Sequence, residues 1–121
     1  MTAEELWALI AENQGKEYRT ARGMGFTYHV PTAKRGENAG NPSGELFIKS
    51  ENETVWGRKS ITKATFFRAY QTAKEIQSTG VEVTGPKQLK VFGKTYIFAI
   101  LKALGLLDTP TGDYQQESIF S

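Results

Sequence analysis

The chain has no cysteine among its 121 residues. That excludes disulfides and thiolate metal sites, and it suits a reducing compartment. It has one histidine, His29, so a metal centre would have to draw on scattered carboxylates, and none is expected. It has no Gly-x-Ser-x-Gly elbow, and the "RGMG" at residues 22–25 lacks the glycine spacing of a phosphate loop. No apolar run approaches the roughly 20 residues that cross a bilayer, so no membrane association is expected. The opening "MTAEELWALIAE" is acidic rather than basic, which predicts no secretory signal and a cytoplasmic protein. Glu51 and Glu53 flank a turn and read as solvated carboxylates rather than a catalytic pair. The expectation is a non-enzyme that needs no cofactor.

What is present fits one domain over residues 1–121. A chain of this length buries roughly 65% of its unfolded surface, enough for a core without staples. The net charge of +2 hides an asymmetry. From Arg58 to Leu107, nine Lys or Arg stand against Glu75 and Glu82, a net of +7, and the rest of the chain carries −5. A basic half beside an acidic half points to an anionic partner, or to an unevenly charged solvated surface.

Apolar spacing predicts a helix over residues 3–13, opened by a capping box between Thr2 and Glu5 and closed at Gly15. Alternation of Phe26, Tyr28 and Val30 with Thr27 and His29 marks a half-buried strand, preceded by a short one around Tyr18. Residues 31–45, "PTAKRGENAGNPSGE", read as a flexible inter-strand loop. "ELFIKS" and "TVWGR" follow as strands about the turn "ENE". The longest helix is expected from Lys59 or Ser60 to about Gln77, with Thr62, Phe66, Ala69, Ala73 and Ile76 on one face. "VEV" allows a short strand. Pro86 opens a short helix to Phe92, Thr95 caps another that ends at Gly105, and 108–121 forms a C-terminal hairpin or tail. The fold class is therefore α+β: an N-terminal helix, an antiparallel meander of three or four strands, then two or three helices on one sheet face. Its core should include Leu6, Leu9, Phe26, Tyr28, Phe47, Trp56, Phe66, Ile97, Ile100 and Leu104.

Two features suggest nucleic acid. Lys63, Phe67, Tyr70 and Lys74 fall on one helical stripe, which suits phosphate contact with base or sugar packing. Equally, Phe67 and Tyr70 could widen the core face while the lysines snorkel. "GPKQLKVFGKTYIFAILKALG" has helix–turn–helix punctuation, and residues 86–120 resemble winged helix–turn–helix domains. The second helix is nearly all apolar, however, and reads as core rather than as a base-reading helix. Phosphate contact would then fall to Lys87, Lys90 and Lys94, with Arg58 and Lys59 in the same basic half. "YRTARGMGFTY", "KSIT" and "GPKQLKVFGKTYIFAIL" together resemble a pattern of small, functionally uncharacterised bacterial proteins, over about residues 17–107. That resemblance implies a compact α+β fold of bacterial, phage or plasmid origin and carries no activity. The expected function is a non-catalytic domain that binds the phosphate backbone of DNA or RNA. The alternative is a protein-interaction module, such as a regulator or inhibitor from a mobile element, whose acidic half could mimic nucleic acid.

Overall fold

The structure is a computed structural model that describes residues 1–37, 39–57 and 60–107. Thr2 caps helix α1 (Ala3–Glu12). Its hydroxyl accepts from the Glu5 N–H at 3.1 Å, and the Glu5 carboxylate accepts from the Thr2 N–H at 2.8 Å, the reciprocal box expected from the sequence. The Thr2 backbone N–H and hydroxyl hold the Glu5 carboxyl below its ordinary value of 4.5. A carboxyl lowered on folding contributes stability that is complete above the unfolded value and lost as pH falls through the folded one. Thermal melts should therefore decline below about pH 4.5, and Glu5→Gln, which cannot titrate, should flatten that decline. An unchanged acid limb in the variant would remove the box as a contributor.

Leu6, Trp7 and Ile10 form the buried stripe of α1. Four strands follow as an antiparallel meander in the order β1 (Tyr18–Arg19), β2 (Gly25–His29), β3 (Glu45–Ser50), β4 (Ser60–Thr62). Because side chains alternate across a strand, Phe26, Tyr28, Leu46, Ile48 and Ile61 fill the inner face. Tyr28 stands opposite Ile48, and Leu46 opposite Ile61. Thr27, His29, Phe47 and Lys49 are left on the outer face. Tyr28 is fully buried, and its hydroxyl donates to the Ile10 carbonyl at 2.6 Å. The Tyr18 ring lies 5.3 Å from Tyr28 and 5.7 Å from Phe26. Burial first, and Tyr18 second, push the Tyr28 phenol well above its ordinary range.

Thr62 caps helix α2 (Lys63–Ser78), which buries Phe66, Ala69 and Ala73. Glu4 meets Lys63, and Trp7 meets Phe66 edge to face at 6.1 Å. Both partners advance by three residues, so α1 and α2 lie side by side in the same sense. A 3-10 turn (Pro86–Leu89) and helix α3 (Lys94–Ala103) complete the described chain. Five consecutive residues of α3, Ile97 to Leu101, are buried, so this helix is packed on nearly all sides. Phe26 meets Tyr96 at 5.0 Å and ties the sheet to the start of α3.

Several expected details are corrected. Ser60 does not open α2: Ser60, Ile61 and Thr62 pair with Phe47, Leu46 and Glu45 as β4. A β-branched Ile61 gains more from burial opposite Leu46 than from a first helical turn. Thr54–Gly57 is not a strand, because only the Gly57 N–H reaches β3, at the Ile48 carbonyl, 2.7 Å away. Trp56 is not core: it is 38% exposed on the outer face of the sheet. Phe47, Leu9 and Leu104 are half-buried rather than central. Residues 81–83 form no strand, the turn from Pro86 stops at Leu89 before Phe92, and Gly93 rather than Thr95 precedes α3. The expected hairpin or tail at 108–121 lies outside the described residues. Among the described residues, no helix is long and apolar enough to cross a membrane.

The base of the segment between β2 and β3 is tied down. Thr32 and Pro42 form a β-bridge, Ala33 and Asn41 share a backbone hydrogen bond, and Trp7 Nε1 donates to the Ser43 carbonyl at 2.7 Å. The tip at 34–40 is exposed wherever it is described. Replacing residues 34–40 with Asn-Gly should leave the melting temperature within about 5 °C, since loop length costs little closure entropy. A larger loss would show that the tip packs on the body.

Candidate functional site

The stripe on α2 exists as a unit, but not as a bare basic surface. Lys63 Nζ pairs with Glu4 Oε2 at 3.2 Å. Phe67 and Tyr70 are half-buried against the core, with ring centroids 6.2 Å apart and planes 25° from parallel. Lys74 Nζ lies 5.6 Å over the Tyr70 ring. The two aromatics thus widen the apolar face of α2, and the lysines run along its margin. An exposed ion pair such as Lys63–Glu4 contributes little to stability, yet it half-neutralises the N-terminal end of the stripe.

The second set lies around the 3-10 turn. Gln88 organises the approach: its side-chain oxygen accepts from the Thr84 N–H at 2.6 Å and the Gly85 N–H at 3.1 Å, and its amide donates to the Glu82 carbonyl at 2.8 Å. Lys87, Lys90 and Lys94 follow, all exposed. No carboxylate occurs from Val83 to Leu107, where Lys102 is a fourth cation. Lys90 has φ 55°, the one non-glycine residue in the left-handed region among those described. That conformation costs an L-residue about 1–2 kcal/mol and is routine only for glycine.

Between this segment and the sheet lies an open cavity of about 490 Å³. Ile48 and Ile61 line it from the sheet, Val91 and Phe92 from the segment that leads into α3, and Tyr96 from the first turn of α3 itself. Phe92 is 56% exposed. Among the described residues, Glu53 and Lys94 are its charged lining groups. The Ser50 N–H binds Glu53 Oε1 at 2.8 Å and holds that carboxyl below its ordinary value. Arg58 and Lys59 lie outside the described residues.

A third feature escaped the sequence reading. On the outer sheet face His29 lies 4.6 Å from Trp56 and 6.0 Å from Phe47, and Lys49 Nζ sits 4.9 Å over the Trp56 ring. The outward place of His29 was legible from alternation. Those of Phe47 and Lys49, which share one face of β3, were not, because Leu46, Phe47 and Ile48 are all apolar and either parity would bury a large side chain. Among the described residues, no group of three or more His, Asp or Glu is arranged to hold a metal ion.

No protein-family profile matches this chain, and no curated protein or solved structure is significantly similar to it. The helix–turn–helix resemblance meets a 3-10 turn of four residues in place of a first helix, and an α3 buried from Ile97 to Leu101. That leaves Lys94, Thr95 and Lys102 as the polar groups exposed on α3.

Proposed function

We propose that this protein is a non-catalytic nucleic-acid-binding domain whose phosphate contacts come from Lys87, Lys90 and Lys94, with Lys74 and Tyr70 of α2 as a subsidiary contact. The observation that carries the reading is Lys90. A lysine is held where glycine would be cheaper, beside two further exposed lysines, in a stretch without a carboxylate. Strain of this kind collects where a side chain is used. Lysines bind phosphates as point charges and confer affinity without reading sequence.

Titration of labelled single- and double-stranded DNA and RNA at about 50 and about 200 mM salt tests it. Binding should weaken steeply with salt. Lys87→Glu with Lys94→Glu should weaken binding to all sequences alike and lower the log–log slope by about 1.4 on a single strand. Lys90→Gly should weaken binding while stabilising the fold by about 1 kcal/mol. Absence of binding by the wild type at the lower salt removes the reading.

A second reading, a protein-interaction module such as a regulator or inhibitor from a mobile element, is favoured by the outer sheet face. His29, Phe47 and Trp56 there expose a mixed aromatic patch under Lys49, and Val55 beside it is 71% exposed. Aromatic patches of this kind suit protein interfaces. On this reading Trp56→Ala abolishes capture of a defined partner, and the lysine variants leave it intact.

A further inference from the structure

We propose that the cavity beside Phe92 receives one unpaired nucleobase of a single strand, while the flanking phosphates lie along Lys87, Lys90 and Lys94. This rests on the nucleic-acid reading and names the form of nucleic acid bound.

The argument begins with size and lining. About 490 Å³ is enough for a ring system with part of its sugar, and falls within the usual range of about 300–1,000 Å³ for ligand sites. Ile48, Ile61 and Val91 supply an apolar wall, and Phe92 and Tyr96 supply aromatic rings. A planar, uncharged, partly apolar ring suits such a lining. The surroundings have the opposite character. Lys94 is part of the lining, Lys87 and Lys90 stand exposed in the adjoining segment, and among the described residues Glu53 is the one carboxylate lining the cavity. The Ser50 N–H favours the ionised form of Glu53, so this carboxylate offsets part of one lysine's charge and leaves the segment net basic. The fitting occupant is therefore an uncharged ring joined to an anion, with further anions at regular intervals to meet successive lysines. A single-stranded nucleic acid has that arrangement.

Strandedness follows from access. A base inside a duplex is stacked on both faces and paired along its edge, and entry would require flipping it out at a cost. An unpaired base pays little of that cost, and every base has a π-face for Phe92 to meet. The site should therefore prefer single strands to duplexes and tolerate many sequences. The same chemistry is found in a free nucleotide, and competition by a mononucleotide separates the two sources.

Fluorescence anisotropy of labelled single strands of about ten nucleotides decides it, set against the matching duplex, a strand of the same length made of abasic sites, and adenosine monophosphate as competitor. The wild type should bind the normal strand about five- to a hundred-fold tighter than the abasic strand. Phe92→Ala should lose a similar factor on the normal strand and almost nothing on the abasic one. If Phe92→Ala does not fold, the abasic comparison on the wild type still decides. Equal affinity for normal and abasic strands, with the lysine variants still weakening both, overturns the cavity inference and leaves the nucleic-acid reading standing. A duplex bound as tightly as the single strand, or a mononucleotide as tight as the strand, also overturns it. If no nucleic acid binds at all, the underlying reading falls as well.

Discussion

Tyr28→Ala should destabilise the protein by about 3–5 kcal/mol, the range for removing a large aromatic from a core. Tyr28 has no exposed surface, touches the Tyr18 ring, and fastens the sheet to α1 through its hydroxyl on the Ile10 carbonyl. Truncation leaves a cavity between two layers and a carbonyl short of a donor. Tyr28→Phe separates the two terms. It keeps the ring and loses only the 2.6 Å hydrogen bond, which sets a range of about 1–3 kcal/mol. The Ile10 carbonyl retains the Asn13 N–H at 3.2 Å, so the loss should fall near the lower end. Urea midpoints for the two variants give the partition. If Tyr28→Phe cost as much as Tyr28→Ala, the ring would contribute nothing and the packing account of this core would fail.

Gly93→Ala should cost about 2–4 kcal/mol, from two independent causes. Gly93 has φ +77°, so any L-residue there carries left-handed strain. Its added Cβ would also stand 2.6 Å from Ile61 Cδ1 and 2.9 Å from Ile61 Cγ1, closer than packed carbons approach. Ile61 is itself buried opposite Leu46 and cannot easily withdraw. Ile61→Val removes the Cδ1 and by itself should cost about 0.5–1.5 kcal/mol. The double variant should then recover part of the Gly93→Ala loss, and the part not recovered combines the backbone strain with the remaining contact at Cγ1. Strict additivity of the two changes would mean that the side chains do not collide, contrary to the geometry. This junction also sets the cavity, since Ile61 and Gly93 both line it, so Gly93→Ala should weaken single-strand binding beyond its effect on stability.

The parts of this fold that were legible from residues alone are those with local causes. The box between Thr2 and Glu5 needs residues three apart and nothing else, and it forms as expected. The 3.6-residue spacing of Phe66, Ala69 and Ala73 carries their burial on α2. The alternation of Phe26, Tyr28 and Thr27 places β2 and its inner face. The apolar run after Gly93 marked α3 as core, and Ile97 to Leu101 are buried. Where causes act across the chain, the sequence was ambiguous. Leu46, Phe47 and Ile48 offer two parities, and the pairing of β2 with β3 selects the one that turns Phe47 outward. Trp56 looked like core because it is large and apolar, yet the single bond from Gly57 to Ile48 directs the chain so that its ring covers His29. Lys63 looked like a phosphate ligand, and it meets Glu4 across 59 residues of sequence. The cavity is the strongest case. Ile48 and Ile61 come from the sheet and Phe92 from the far side of α2, and no periodicity in one segment reports a space that two distant segments enclose.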